Sequence, residues 1–271
     1  MSLCASYARI MSASSTTGPP TPGSTGLVDT PTAISALVDI LNNQPTTPPS
    51  LYLDLEGVNL SRHGTISILQ IHVSPIHQTY LIDIHTLAST AFTTPGATTT
   101  LTLKHILESP TTPKVLFDVR HDSDALFALF NIRLAGVTDL QLMELATRTF
   151  SRRVVSGLAK CIERDAVLSW TERSVWMAAK KRGRRLFVPE QGGRYEVFEE
   201  RPLAEEVRRY CVQDVVFLPR LWVGYAARIT PAWEGRVREA SRERVERSWM
   251  EGGFDGEGRQ MALAPEGWCL L

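Results

Sequence analysis

Two carboxylates stand together on a segment that otherwise reads as a packed strand. In the run LYLDLEG (51–57), strand alternation puts Leu51, Leu53 and Leu55 on one face and Tyr52, Asp54 and Glu56 on the other. Like charges on one face repel, so the pair is costly unless it meets water or a cation neutralises it. A second acid falls on a packing stripe: Leu203, Val207, Tyr210, Asp214 and Phe217 follow 4-3-4-3 spacing, which is one side of a helix and normally its buried side. Tyr210 precedes Asp214 by one turn, so phenol and carboxylate share that side. Between them lies FDVRHDSDALF, with Asp118, Asp122 and Asp124 at a strand end and the start of a helix. Acids in a first helical turn are expected from the helix dipole alone, so this cluster gains meaning only in combination. Each feature also has a plain structural reading: a solvated sheet face for Asp54 and Glu56, and a rim position paired with Arg208 or Arg209 for Asp214.

The elements that must position these groups follow from patterning. Residues 12–31 are dominated by Ser, Thr, Pro and Gly and cannot bury enough apolar surface to offset ordering entropy, which predicts a disordered leader over 1–31. From Thr32, Ile34, Leu37, Val38 and Leu41 share a helical face that QPTTPPS breaks. Leu51–Leu55, Thr65–Val73 and Thr79–Ile84 then read as a three-stranded antiparallel meander. A helix over Leu101–Leu107, a strand over Lys114–Phe117 and a helix through Ala125–Phe130 follow. Ser169 and Glu172 have capping-box spacing ahead of a helix through Met177–Lys181, and Thr230 with Pro231 opens a charged helix. The order, meander first and helices later, predicts an α/β fold with a mixed central sheet. Residues 32–229 form the folded domain in this reading, and 230–271 a charged helix with a loose tail at 251–271.

Asp-x-Glu at a strand end, an Asp near 122 and Tyr-x-x-x-Asp on a late helix together resemble the DEDD superfamily of 3′–5′ exonucleases. Tyr210 points to the subgroup containing ribonuclease D and the Werner-syndrome exonuclease domain. The resemblance covers about residues 32–225, and the segment from GLAKCIERD to YCVQD looks closest to fungal 3′–5′ exonuclease domain proteins. It implies a ribonuclease-H-like fold with a mixed five-stranded sheet. It further implies that Asp54, Glu56, Asp122 and Asp214 hold two Mg²⁺ or Mn²⁺ ions and that Tyr210 orients the attacking water. Hard cations take oxygen ligands, which suits carboxylates and leaves no role for Cys or His. Aligning on Phe130-Asn131 selects Asp122 over Asp118, with Asp124 the remaining alternative. Asn131 stands where the family has Gly, and Asn tolerates the left-handed backbone such a position needs. The implied partner is a single-stranded 3′ end of RNA or DNA, and the implied products are nucleoside 5′-monophosphates. The rival readings are a catalytically silent nucleic-acid-binding or scaffold protein on the same fold, and an endonuclease of the wider fold, which Tyr-x-x-x-Asp disfavours.

Lys+Arg and Asp+Glu are 29 each among 271 residues, and that neutrality hides a strong asymmetry. Residues 148–185 hold 11 basic residues against 3 acidic ones, including Lys180, Lys181, Arg182, Arg184 and Arg185. The run reads either as a solvated helix face or as a path for a nucleic-acid backbone, with Phe187 and Tyr195 as stacking surfaces or core residues. His72 falls inside an apolar strand and reads as a satisfied sheet residue, His77 and His85 fit loops or strand ends, and His121 neighbours the acidic cluster. The four cysteines show neither CxxC nor CxxH spacing, which argues against a zinc knuckle or disulfide framework and for a reducing compartment. No apolar run approaches a spanning helix and no secretory signal pattern is present, so the expectation is an intracellular, cytoplasmic or nuclear protein without a membrane partner. A single basic residue, Arg9, among residues 1–28 gives a mitochondrial transit peptide only weak support.

Overall fold

A computed structural model describes residues 25–254 and 262–269. The meander is present as β2 (Leu51–Glu56), β3 (Ile68–Val73) and β4 (Gln78–Asp83), antiparallel throughout. Two short parallel strands, β5 (Lys114–Leu116) and β6 (Val137–Asp139), extend the sheet beyond β2. At the opposite edge Thr25–Val28 forms β1, parallel to β4 with Gly26 opposite Tyr80 and Val28 opposite Ile82. The sheet is therefore six-stranded, in the order β1-β4-β3-β2-β5-β6. This corrects two expectations, the five-stranded sheet and the leader running to residue 31. The four-residue run TGLV is too short to register against its Ser/Thr/Pro surroundings; the exposed backbone of β4 supplies the pairing that local composition does not. Thr30 and Pro31, also inside the expected leader, open the first helix, and residues 1–24 lie outside the described residues.

The helices follow their sequence signals closely. In α1 (Pro31–Asn42), Thr30 caps the N-terminus and Ile34, Leu37, Val38 and Leu41 are buried. Three short helices, α2 (Ile84–Leu87), α3 (Thr90–Thr93) and α4 (Leu103–Glu108), connect β4 to β5. After β5 comes α5 (Arg120–Phe130), ended by Asn131 at φ 51°, the left-handed conformation expected of it. The helical half comprises α6 (Leu140–Thr147), α7 (Leu158–Asp165), α8 (Trp170–Phe187), α9 (Glu205–Val216), α10 (Leu218–Ala226) and α11 (Pro231–Arg247). Ser169 and Glu172 form the capping box of α8, and Thr230 caps α11. No helix among the described residues is long and apolar enough to cross a membrane.

Packing on the two sides of β2 decides where the site falls. Leu51, Leu53 and Leu55 join α1 and Leu126 of α5 in one core, so that face is closed by hydrocarbon. On the other face α9 lies across β2, β3 and β4 and buries Val207, Tyr210 and Cys211 with Ile68 and Leu81. The tail expected to be loose is in part packed: Val154 bridges Leu263, and the Trp268 ring meets Trp233 with centroids 5.0 Å apart. Burial of a large aromatic side chain offsets the ordering of this segment, which carries no periodic pattern to announce it. Residues 255–261 and 270–271 lie outside the described residues.

One ion pair fixes the approach to α9. Arg201 donates through Nε and Nη2 to the two oxygens of Asp83, at 2.5 and 2.6 Å, and Thr86 also donates to Asp83. Burial raises the Asp83 pKa, but the Arg201 and Thr86 hydrogen bonds outweigh it and leave the value lowered. Because the folded-state pKa is depressed, this contribution is full above the ordinary Asp range near 3.8 and is lost as pH falls through the folded value. Asp83→Ala leaves Arg201 without its counter-charge and is expected to cost ~3–5 kcal/mol in urea unfolding at pH 7. The deficit should shrink below pH 4; an equal deficit at pH 3 and pH 7 would contradict the assignment.

Candidate active site

Asp54 and Glu56 occupy the C-terminal end of β2, and the sheet register leaves that end open on one side. Pairing of β2 with β5 stops at Tyr52 opposite Val115. Beyond it the chain leaves the sheet and enters α5, whose first turn carries Asp122. Across β3, Gln70 lies opposite Asp54 and Ile68 opposite Glu56. From above, α9 delivers Tyr210 and Asp214, both buried. Oxygen atoms of Asp54, Glu56 and Asp214 all lie within 4.8 Å of one another. The stripe read from sequence is thus a packing stripe, and its one acid points at two others across the sheet.

Burial and mutual repulsion dominate the electrostatics. Burial, then the Asp214 charge, pushes the Asp54 pKa up to about 8, against smaller downward effects of Lys180 and the Leu55 backbone amide. Glu56 is raised well above the usual carboxylate range by burial, then by Asp54 and Asp214. Asp122 is only 5% exposed and is also raised, by burial and then by Asp54, Asp118 and Asp139. It stands outside the close trio but within its electrostatic reach. Burial, followed by Asp214, Glu56 and Asp54, likewise raises the Tyr210 phenol, which therefore stays protonated across the physiological range.

The neighbouring acids of α5 are already committed. Asp124 accepts from the Arg62 side chain and from the Arg62 and Phe254 backbone amides. Asp118 is paired with Arg120 at 2.5 Å and faces Arg244. Among the described residues Asp122 alone of the three faces Asp54 without an ion pair, which favours it over the alternative at 124. His121 packs its ring against Phe254, centroids 5.3 Å apart, and burial lowers its pKa. His72 bonds to Thr79 at 2.9 Å and is pushed down to about 4 by burial, as a satisfied sheet residue would be.

Sequence patterning left Lys180 in a basic run that is either a solvated helix face or a nucleic-acid path, and the structure turns this lysine inward. Its Nζ donates to Asp214 at 2.6 Å and to the Tyr210 hydroxyl at 3.2 Å, and lies 4.6 Å from the centre of the Tyr210 ring. Asp214 therefore pairs with Lys180 rather than Arg208 or Arg209; Arg209 bonds to Glu205 instead. The signal was available in the phase of α8, where Trp176, Ala179 and Gly183 form the buried stripe and Lys180 adjoins it. Gly183 is required there, because a Cβ at that position would stand 2.3 Å from the Tyr210 ring. Phe187 also backs this ring, at 4.9 Å, and is a packing residue rather than a free stacking surface. Nor is the basic run continuous: Arg148 is buried against Glu144, while Arg164 binds Glu144 and Asp165. Lys181, Arg182, Arg184 and Arg185 remain exposed.

The donor set fits hard divalent cations. Three close carboxylates, with a fourth nearby, cannot all ionise at neutral pH unless positive charge enters among them. A second grouping, Glu144, Cys161 and Asp165, does not fit: its acids are paired with arginines, and burial pushes the Cys161 thiol up to about 12.

Residues 26–223 match the family model described as 3′–5′ exonuclease. The chain belongs to the 3′–5′ exonuclease family. No curated protein sequence matched it. Among solved structures it is similar to Trypanosoma brucei RNase D in complex with RNA U12, with TM-score 0.69 and 20% identity over 90% of this chain and 77% of that one. It is also similar to Escherichia coli RNase D, an exoribonuclease involved in structured RNA processing, with TM-score 0.55 and 18% identity over 84% and 54% of the two chains. Brucella melitensis NrnC with bound Mg²⁺ gives TM-score 0.54 and 16% identity over 83% of this chain and 90% of that one. These likenesses establish a ribonuclease-H-like fold, and the family makes the chain a nuclease that acts on nucleic acid; divalent metal is typical of that family, and an acidic cluster is present here.

Two consequences are measurable. Because the Asp54 pKa is raised on folding, the folded protein binds more protons than the unfolded chain between about pH 4 and pH 8, so metal-free stability falls as pH rises through that window. Asp54→Asn is expected to raise the melting temperature of the metal-free protein at pH 8 by several degrees, at ~2–4 °C per kcal/mol. An unchanged or lower melting temperature would contradict the charge conflict. Gly183→Ala forces a methyl group against Tyr210 and is expected to cost ~1–3 kcal/mol and to lower turnover; wild-type stability and turnover would remove the close approach from the account.

Proposed function

We propose that this exonuclease hydrolyses the terminal phosphodiester of a single-stranded 3′ end, RNA or DNA, and releases nucleoside 5′-monophosphates. The observation that carries the reading is the convergence of Asp54, Glu56 and Asp214 within 4.8 Å, with Asp122 beside them and Tyr210 above. Two Mg²⁺ or Mn²⁺ ions are the proposed cofactors, which Asp54, Glu56, Asp122 and Asp214 would hold through their carboxylate oxygens. When bound, such ions stabilise the charge that builds on the attacking and leaving oxygens of the phosphodiester.

The chain's own groups supply orientation and charge balance. Tyr210 remains a phenol, so it acts as a hydrogen-bond partner that aligns the attacking water rather than as a strong base. Water adds to phosphorus, the bond to the 3′-oxygen of the penultimate nucleotide breaks, and a proton reaches that oxygen as it leaves. Lys180 places one fixed positive charge at the rim of the cluster, where the anionic phosphate arrives. The similar T. brucei RNase D structure is a complex with RNA U12, which favours an RNA arm in the first assays.

The test uses 5′-labelled single-stranded RNA and DNA with Mg²⁺ or Mn²⁺. Wild type is expected to shorten substrate stepwise from the 3′ end, and Asp54→Ala and Asp214→Ala to abolish this. Tyr210→Phe is expected to lower kcat by ~10²–10⁴ with KM little changed. Tight binding without cleavage by wild type under both metals would instead favour the silent nucleic-acid-binding reading.

A further inference from the structure

Helix α8 serves the active site with its inner edge, and its outer face has a composition that the site does not use. Trp170, Ser174, Met177, Lys181 and Arg184 follow 4-3-4-3 spacing and form one stripe along the helix. On a helical wheel this stripe lies next to Lys180, whose Nζ reaches Asp214 and Tyr210. The stripe is open to solvent: Trp170 is 81% exposed and Met177 50%, and Lys181 and Arg184 are exposed with Arg182 and Arg185 beside them. Val167, 90% exposed, extends the apolar end. An exposed indole at one end of a helix face and exposed cations at the other are the two kinds of contact that single-stranded nucleic acid uses: cations for the backbone and an aromatic face for a base.

Resting on the exonuclease reading above, we infer that the outer stripe of α8 is the track for the single strand, with Lys181 and Arg184 on the phosphates nearest its 3′ end and Trp170 stacked on a base further upstream. Lys180 and Trp170 are ten residues apart, about 15 Å along the helix at ~1.5 Å per residue. At ~3.4 Å per nucleotide of stacked strand that is about four to five nucleotides from the 3′ end. The protein therefore discriminates by substrate length: a dinucleotide fills the acidic site alone, and a longer strand also engages α8. Charge complementarity selects this occupant over a protein surface, since the stripe offers only cations at its polar end.

The test is anisotropy of a 5′-fluorescein U20 oligonucleotide with full-length protein in EDTA, together with hydrolysis of U20 and of a UU dinucleotide in Mn²⁺. Trp170→Ala is expected to weaken U20 binding about 5- to 10-fold, with Trp170→Phe restoring most of it. Lys181→Ala with Arg184→Ala is expected to flatten the slope of log K against log salt by about 1.4, at ~0.7 per lost phosphate contact. The ratio of kcat/KM on U20 to that on UU should fall about tenfold in each. Wild-type affinity, slope and ratio in these variants would overturn the track, and retained UU hydrolysis in the same experiment would show that the exonuclease reading stands without it. Failure of wild type to hydrolyse both substrates would count against that reading. Loss of U20 affinity only in Trp170→Ala, with an unchanged salt slope in the double variant, would also overturn the track, by leaving a base contact with no phosphate path along α8.

Discussion

Mutual repulsion among buried carboxylates is the constraint around which this molecule is arranged. Asp54, Glu56 and Asp214 are brought within 4.8 Å of one another, with Asp122 in electrostatic reach. Left to themselves these groups would separate or reach water. They stay together because each is anchored by packing that has nothing to do with charge: the leucine face of β2 in one core, and Val207 and Cys211 of α9 in another. Folding free energy from apolar burial is thereby stored as an electrostatic conflict at one end of the sheet.

Several contacts outside the acidic group serve to hold it in place. The Asp83–Arg201 pair ties the end of β4 to the segment that leads into α9, and so sets where Tyr210 and Asp214 land. Arg62 and the Phe254 amide occupy Asp124, while Arg120 and Arg244 occupy Asp118, which leaves Asp122 as the acid of α5 that faces the site. Gly183 lets α8 approach close enough for Lys180 to enter the cluster from its rim. A single lysine offsets part of the negative charge, and the donor chemistry of the remainder calls for hard divalent cations.

Much of this was legible from residue spacing. Period-two alternation isolated Asp54 and Glu56, and a 4-3-4-3 stripe isolated Tyr210 and Asp214, because a charge on a packing face violates the pattern that the same residues establish. The left-handed Asn131 was also readable, since few residues other than Gly adopt that conformation cheaply. Three things were not. Strand β1 depends on an edge of β4 that local sequence does not contain, and the docking of Trp268 depends on Trp233 from a distant helix. The inward turn of Lys180 was hidden by its neighbours, because charge counted along the chain does not distinguish the sides of a helix. Neutral net charge proved equally uninformative, being the sum of an acidic interior site, arginines committed to internal pairs and an exposed basic ridge on α8.

Isothermal titration of Mn²⁺ into metal-free protein at pH 7, in two buffers of different ionisation enthalpy, tests the central claim most directly. If buried carboxylates hold protons until cations arrive, Mn²⁺ binding must displace them. The account predicts two ions bound, with release of at least one proton, and a smaller release in Asp54→Asn. Binding with no proton release in either buffer, or no saturable binding at all, would contradict it.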